Sequence, residues 1–183
     1  MNRVAMLLTA AAAAMGASFA AGAQTLDLPA RKPGLWDMKT VTEAPPGVPG
    51  ISTQMCIDAA TDKEVMNFGL KLSKDSCKRY DIKRTGKAWV IDADCNFGPV
   101  KSTTKTTVTG DFQSSIELRV EGTSEGIPGT KGPQPTVITQ TAKWVSACAN
   151  GMKPGDMVLP GGLRVNVKQV RELQKMLPNL QIR

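Results

Sequence analysis

The sequence predicts a mainly β protein: a single antiparallel, curved sheet or half-barrel meander with a short internal helix, a C-terminal amphipathic helix and two disulfides. Three observations predict it. Four segments between Lys78 and Glu121 alternate apolar with polar residues and are separated by Gly86, Gly98-Pro99 and Gly110-Asp111, the punctuation of consecutive hairpins. In the last of them Ile116, Leu118 and Val120 share one face while Ser115, Glu117 and Arg119 share the other, so the sheet has one wet side and one side that something must cover. The chain also carries 4 cysteines with no C-x-x-C spacing, which reads as a covalent framework rather than a zinc or thioredoxin-like site.

The elements follow in order. Arg3 precedes an almost wholly apolar, alanine-rich run from Val4 to Ala21 that closes on Ala21-Gly22-Ala23, the small-x-small pattern of signal-peptidase cleavage. Residues 1–23 are therefore expected to be a leader and residues 24–183 a single β-rich domain exported to the periplasm. Losing the leader removes one arginine and no acid, so the net charge falls from +7 to +6. A first strand begins at Leu35, and Ala44-Pro45-Pro46-Gly47-Val48-Pro49-Gly50 must turn the chain because prolines cannot continue a ladder. Ile51 to Ile57 is its hairpin partner. From Asp62 to Phe68 the looser apolar spacing predicts a short helix, capped by Thr61 with Glu64 three residues on. Strands follow at Lys78–Arg84, Ala88–Phe97, Val100–Thr109 and Phe112–Glu121. A Pro/Gly-rich loop over 122–135 then precedes a long strand from Thr136 to Cys148. Residues 152–162 read as a turn-rich link. Asn166 caps a final helix to Leu177 whose Val167, Val170, Leu173 and Leu177 form one apolar stripe, stopped by Pro178.

Strand parity suggests how the cysteines pair. Cys95 shares a face with Trp89, and Cys148 shares one with Trp144 when the strand is continued to its end. Cys56 falls opposite Met55 and Ile57, and Cys77 falls opposite Tyr80 and Ile82. Parity thus predicts Cys56–Cys77 and Cys95–Cys148, closures worth about 3 and 4 kcal/mol in the loop-entropy account.

The run Lys32-Pro33-Gly34-Leu35-Trp36, the first cysteine in Met55-Cys56-Ile57-Asp58 about twenty residues on, and cysteines within later β segments resemble an uncharacterised family of small secreted proteobacterial proteins, a domain of unknown function. Its members start their mature part with Pro-Gly-Leu-Trp followed by an acid, most often Glu, where this chain has Asp37. The resemblance implies a periplasmic β protein and carries no catalytic residue.

The chain contains 0 histidines, which excludes Ser-His and Cys-His nucleophile pairs, histidine-bearing zinc sites and histidine pH switches. Asp92 and Asp94 lie on one face of a strand and are candidates for an acid–base pair or a cation site, against their reading as the solvent side of an alternating strand. Lys101-Ser102-Thr103-Thr104-Lys105-Thr106-Thr107 offers a Ser/Lys nucleophile, against its reading as an exposed threonine-rich strand. Neither outweighs the plain reading, so the expectation is a non-enzymatic protein with no catalytic, metal or cofactor site. The basic residues are scattered and do not interleave with aromatics, which argues against nucleic acid. After export such a charge meets anionic lipid, cell-wall polymer or another anionic envelope component, with peripheral membrane contact through the C-terminal helix, against its reading as a helix that packs over the open face of the sheet. Trp36, Met38, Trp89 and Trp144 fall on inward faces and are the candidate ligand-facing residues of a concave sheet that binds an apolar small molecule or lipid, against their reading as an ordinary core, which the small number of aromatics favours. The alternative is a periplasmic interaction or scaffold protein using its basic surface and Pro/Gly loops.

Overall fold

The computed structural model describes residues 28–149, 151–169 and 172; the expected leader and most of the expected helix to Leu177 lie outside them. Nine strands form one antiparallel open sheet: β1 (Gly34–Ala44), β2 (Ile51–Ile57), β3 (Cys77–Thr85), β4 (Ala88–Phe97), β5 (Val100–Gly110), β6 (Ser115–Glu125), β7 (Gln134–Ser146), β8 (Asp156–Val158) and β9 (Arg164–Asn166). Their order across the sheet is β3-β4-β5-β6-β7-β1-β2-β8-β9. The meander β3 to β7 is thus joined to the β1–β2 hairpin through a β7–β1 pairing, with Trp36 opposite Trp144 and Met38 opposite Ala142. One helix, α1 (Ala59–Ser76), connects β2 to β3. It carries the chain from one side of the sheet to the far edge. The edge strand β3 presents Lys78, Arg79, Lys83 and Arg84, charges that discourage another strand from adding there.

The alternation holds because each strand buries one face. On β4, Trp89, Ile91, Ala93 and Cys95 are buried while the intervening residues are partly exposed. They join Trp36, Met55, Ile57, Val108, Phe112, Ile116 and Ala142 in the core. The opposite face of the sheet is wet and carries ion pairs such as Arg79–Asp94 at 2.8 Å and Arg119–Glu43 at 2.9 Å.

The structure corrects four expectations. The internal helix is not short: α1 runs for 18 residues, and its N-cap is Asp58, whose carboxylate accepts the Thr61 N–H at 2.7 Å. Thr61 is the third helical residue, so the side chain three positions earlier held the capping role. The sixth strand begins at Ser115 rather than at Phe112, which occupies a tight connection with φ 61°. The segment 152–162 is not all link, because Asp156 starts β8. Asp156 accepts Lys153 N–H and the Asn166 amide, each at 2.7 Å, closing the β8–β9 hairpin, and these bonds hold its carboxyl below the usual range.

The disulfides are Cys56–Cys148 and Cys77–Cys95, not Cys56–Cys77 and Cys95–Cys148. Parity failed at two identifiable places. Between Cys77 and Arg79 the register against β4 slips by one, so Lys78 is a bulge and Cys77 stands directly opposite Cys95, on the inward side. At the other end β7 stops at Ser146, so counting alternate residues on to Cys148 has no meaning. Cys148 instead crosses the start of β1 to reach Cys56, which is fully buried and faces away from Met55 and Ile57 as parity expects. Two disulfides are the covalent pattern of an oxidising, export-type environment, and no helix among the described residues is long and apolar enough to cross a membrane.

Candidate functional site

The site is a cavity between α1 and the inner face of the sheet. Lengthwise, α1 contributes Asp62, Val65, Met66, Gly69, Leu70 and Ser73, a run of about 16 Å along the helix axis. Facing them are Met38 of β1, Ile91 of β4, Val108 of β5, Phe112, and Ile116 and Leu118 of β6. Gln140 and Ala142 of β7 complete the floor, and Leu28 and Pro29 lie over the end nearest the helix N-terminus. The volume is about 350 Å³, within the range of about 300–1,000 Å³ that small-molecule sites occupy.

Local sequence explains why the space is there. An 18-residue helix covering a sheet ordinarily fills the interface with large side chains. Here α1 buries only Thr61 and Asp62 fully, both in its first turn, and Phe68 and Leu72 remain exposed. At its middle stands Gly69, and a Cβ built there meets nothing within 4 Å. Glycine inside a helix costs about 1 kcal/mol relative to alanine, and no close approach of neighbouring chain calls for it. Gly69 lines the cavity and adds no side chain to it. Across the gap, Phe112 is held by its left-handed backbone, by the Lys32 N–H bonding to its carbonyl at 2.9 Å, and by an edge-on contact with Trp89 at 5.3 Å. An unfavourable conformation for a bulky residue thereby presents an aromatic wall.

One ion pair borders the space. Arg31 Nε donates to Asp62 Oδ1 at 2.7 Å and Arg31 N donates to Asp62 Oδ2 at 2.9 Å. This double attachment seats the segment 28–31 across the first turn of α1. A second pocket of about 310 Å³ shares Leu28, Pro29, Asp62, Met66 and Leu70 with the first and adds Lys63 and Asn67.

The candidate ligand-facing residues separate. Met38 lines the cavity. Trp36 is fully buried in the core, and Trp89 is buried against Phe112. Trp144 is half-buried beside the same core, under Lys32, whose Nζ lies 3.5 Å from the ring centroid. These rings account for the Lys-Pro-Gly-Leu-Trp motif. The Trp36 indole N–H donates to the Lys32 carbonyl at 2.8 Å, and the Trp144 indole N–H donates to the Pro33 carbonyl at 3.0 Å. The motif is a clamp that fastens the chain entering β1 onto two strands. Trp36, Trp89 and Trp144 pack in or against the same core as the cavity-lining Ile91, Val108, Phe112 and Ile116.

The remaining candidates are placed as follows. Asp94 pairs with Arg79 on the wet face, and that bond, with one from Thr103, holds its carboxyl below the usual range. Asp92 stands between Asp81 and Lys105 in the register. In β5, Lys101 and Lys105 are exposed while Ser102, Thr104 and Thr106 alternate with them, so the serine and the lysines point to opposite faces. Among the described residues no group of three or more cysteine, aspartate or glutamate side chains is arranged to hold a metal ion. Sequence reasoning missed Arg31, Asp62, Gly69 and Phe112 as site residues. The one signal available was Gly69, a glycine within an otherwise helical stretch that also carries Val65, Met66 and Leu70.

No curated protein and no solved structure matches the chain. A family model described as "Protein of unknown function (DUF3617)" matches residues 31–148. That span begins at the arginine of the ion pair, contains the clamp motif and both disulfides, and ends on Cys148. It covers well over half of the chain, which therefore belongs to the DUF3617 family of proteins of unknown function.

Proposed function

We propose that this protein is a non-catalytic binding protein of the periplasm that holds an apolar small molecule or a lipid chain between α1 and the inner face of its sheet. The observation that carries this reading is the apolar cavity of about 350 Å³ beneath a helix whose central residue is a glycine with open space where its side chain would be. Met38 and Met66, on opposite walls, are unbranched and adapt to a ligand of irregular outline. The open, two-layer arrangement lets α1 shift without breaking a closed ring of strands. This cavity favours ligand binding over a scaffold role, because Arg79 and Arg119 on the wet face are already engaged by Asp94, Glu43 and Glu121.

The test fills the space without disturbing the sheet. Purified wild type is expected to bind an environment-sensitive apolar fluorophore at one site, with native mass spectrometry of periplasmic preparations showing co-purified apolar ligand. Gly69→Phe is expected to keep the wild-type circular dichroism and to weaken fluorophore binding by at least about tenfold, a change of about 1.4 kcal/mol. Wild type that binds no apolar probe, or a folded Gly69→Phe that binds it as well, rejects the reading.

A further inference from the structure

The cavity's lining is mostly apolar, with Arg31 and Asp62 as its charged members. Of its other polar members, the Gln140 amide donates to Thr40 Oγ1 at 3.1 Å and the Ser73 hydroxyl to the Gly69 carbonyl at 2.9 Å, so the state of the Arg31–Asp62 pair selects a ligand class. Resting on the binding function proposed above, we propose that the cavity takes an amphiphile with one extended hydrocarbon chain and a neutral, carbonyl-bearing head, an ester or amide rather than a free carboxylate, with the carbonyl oxygen accepting from the terminal guanidinium nitrogens of Arg31.

Four observations lead there. First, the Arg31 side chain is 14% exposed and that of Asp62 4%, so both are largely out of water, and burying such groups favours any further hydrogen bond they can make. Second, the contacts to Asp62 use the Arg31 backbone N–H and Nε, so Nη1 and Nη2 are not spent on Asp62. A guanidinium carries five donors in a fixed fork, and here a residue that lines the cavity keeps the outer part of that fork clear of its ion pair. Third, the pair is already neutral. A carboxylate head would leave a net negative charge beside Asp62 in a poorly solvated space, whereas an ester or amide oxygen accepts the same bonds without adding charge. Lys63, in the adjoining pocket, is exposed, and water screens its contribution. Fourth, the polar pair sits at the first turn of α1, while Val65, Met66, Gly69 and Leu70 continue away from it along one side of the helix. A head held at Arg31 therefore directs its chain along Gly69 towards Ser73 and Tyr80, which line the far end.

The test uses the full chain and three probes with the same twelve-carbon skeleton: dodecane, dodecanamide and dodecanoate, at about pH 8 where an ordinary carboxyl is ionised. Each displaces the apolar fluorophore. The expected order is dodecanamide tightest, by about tenfold over dodecane and over dodecanoate, the size of one well-placed bond to a charged donor. In Arg31→Met/Asp62→Leu, which exchanges the pair for apolar groups without stranding a buried charge, the ratio of amide to alkane affinity is expected to fall towards one. Arg31→Lys, read the same way, supplies the ratio if the double variant fails to fold, since it keeps the charge and loses the fork. Dodecanoate binding as tightly as the amide overturns the neutral-head assignment. An amide-to-alkane ratio that survives in the folded variants overturns the role of Arg31. In both cases dodecane binding still upholds the apolar cavity, whereas no displacement by any probe rejects the cavity reading itself.

Discussion

At Gly34 the start of β1 passes close to the ring of Trp144. Its φ is +135°, and a Cβ there would run into the Ser146 carbonyl and the Trp144 indole nitrogen, at the point where the chain turns over β1 towards Cys56. Backbone strain and collision together predict that Gly34→Ala lowers stability by about 2–3 kcal/mol, read as a shift of the urea midpoint at constant slope. An unchanged midpoint would show that the clamp relaxes freely. Asp111 is a second residue with a defined task. Its carboxylate accepts the N–H groups of Gln113, Ser114 and Ser115 and the Ser114 hydroxyl, at 2.6–3.1 Å, and these bonds hold its pKa well below the usual carboxylate range. A carboxyl lowered in the folded state stabilises above its unfolded pKa and stops doing so as pH falls through the folded value. Asp111→Asn is therefore expected to be less stable than wild type at neutral pH, with the gap narrowing below about pH 4. A gap that is constant down to acid pH would mean the charge is not what matters. Both glycine and aspartate are visible in the sequence as turn residues. Their specific tasks are not, because each depends on a partner that folding brings to it.

At the scale of the element, α1 combines a firm start with a loose middle. Asp58 caps it and Arg31 grips Asp62, after which few large side chains reach the sheet. Gly69→Ala is expected to raise stability by about 1 kcal/mol, since the added methyl meets nothing and alanine favours helix. Chemical denaturation checks the gain, and a loss would mean that the glycine answers a backbone need. The pairing of a stabilising small change at Gly69 with a binding-blocking large one is the pattern expected where a protein keeps a local weakness for use. The presence of this helix was legible from the change of period after Ala59, but its length was not. Periodicity reports which face is buried, and α1 buries too little of any face to leave a strong signal beyond its first two turns.

For the whole molecule, the two disulfides constrain very different lengths of chain. Cys56–Cys148 spans 92 residues and joins the end of the meander to the first hairpin, whereas Cys77–Cys95 spans 18 and closes one end of β3–β4. Loop-closure entropy gives the long bridge about 4–5 kcal/mol and the short one about 3 kcal/mol. Cys56→Ser/Cys148→Ser is accordingly expected to lower Tm more than Cys77→Ser/Cys95→Ser, measured by scanning calorimetry of each double variant. The reverse order would indicate that structure retained in the unfolded state dominates. A non-reducing peptide map reads the pairing directly.

The sequence by itself determined that this would be an antiparallel β protein with a disulfide framework, because period-two alternation and turn chemistry act between neighbours along the chain. It also contained the clamp motif and every cysteine. Only the tertiary structure decided how those cysteines join, since a bulge at Lys78 and the end of β7 at Ser146 reset the parity on which the prediction relied. It likewise decided that the tryptophans pack in or against the core while Met38, Phe112 and Gly69 border the site. A cavity exists where two surfaces fail to meet. That depends on the distance between α1 and a sheet assembled from strands far apart in sequence, and no local pattern encodes it.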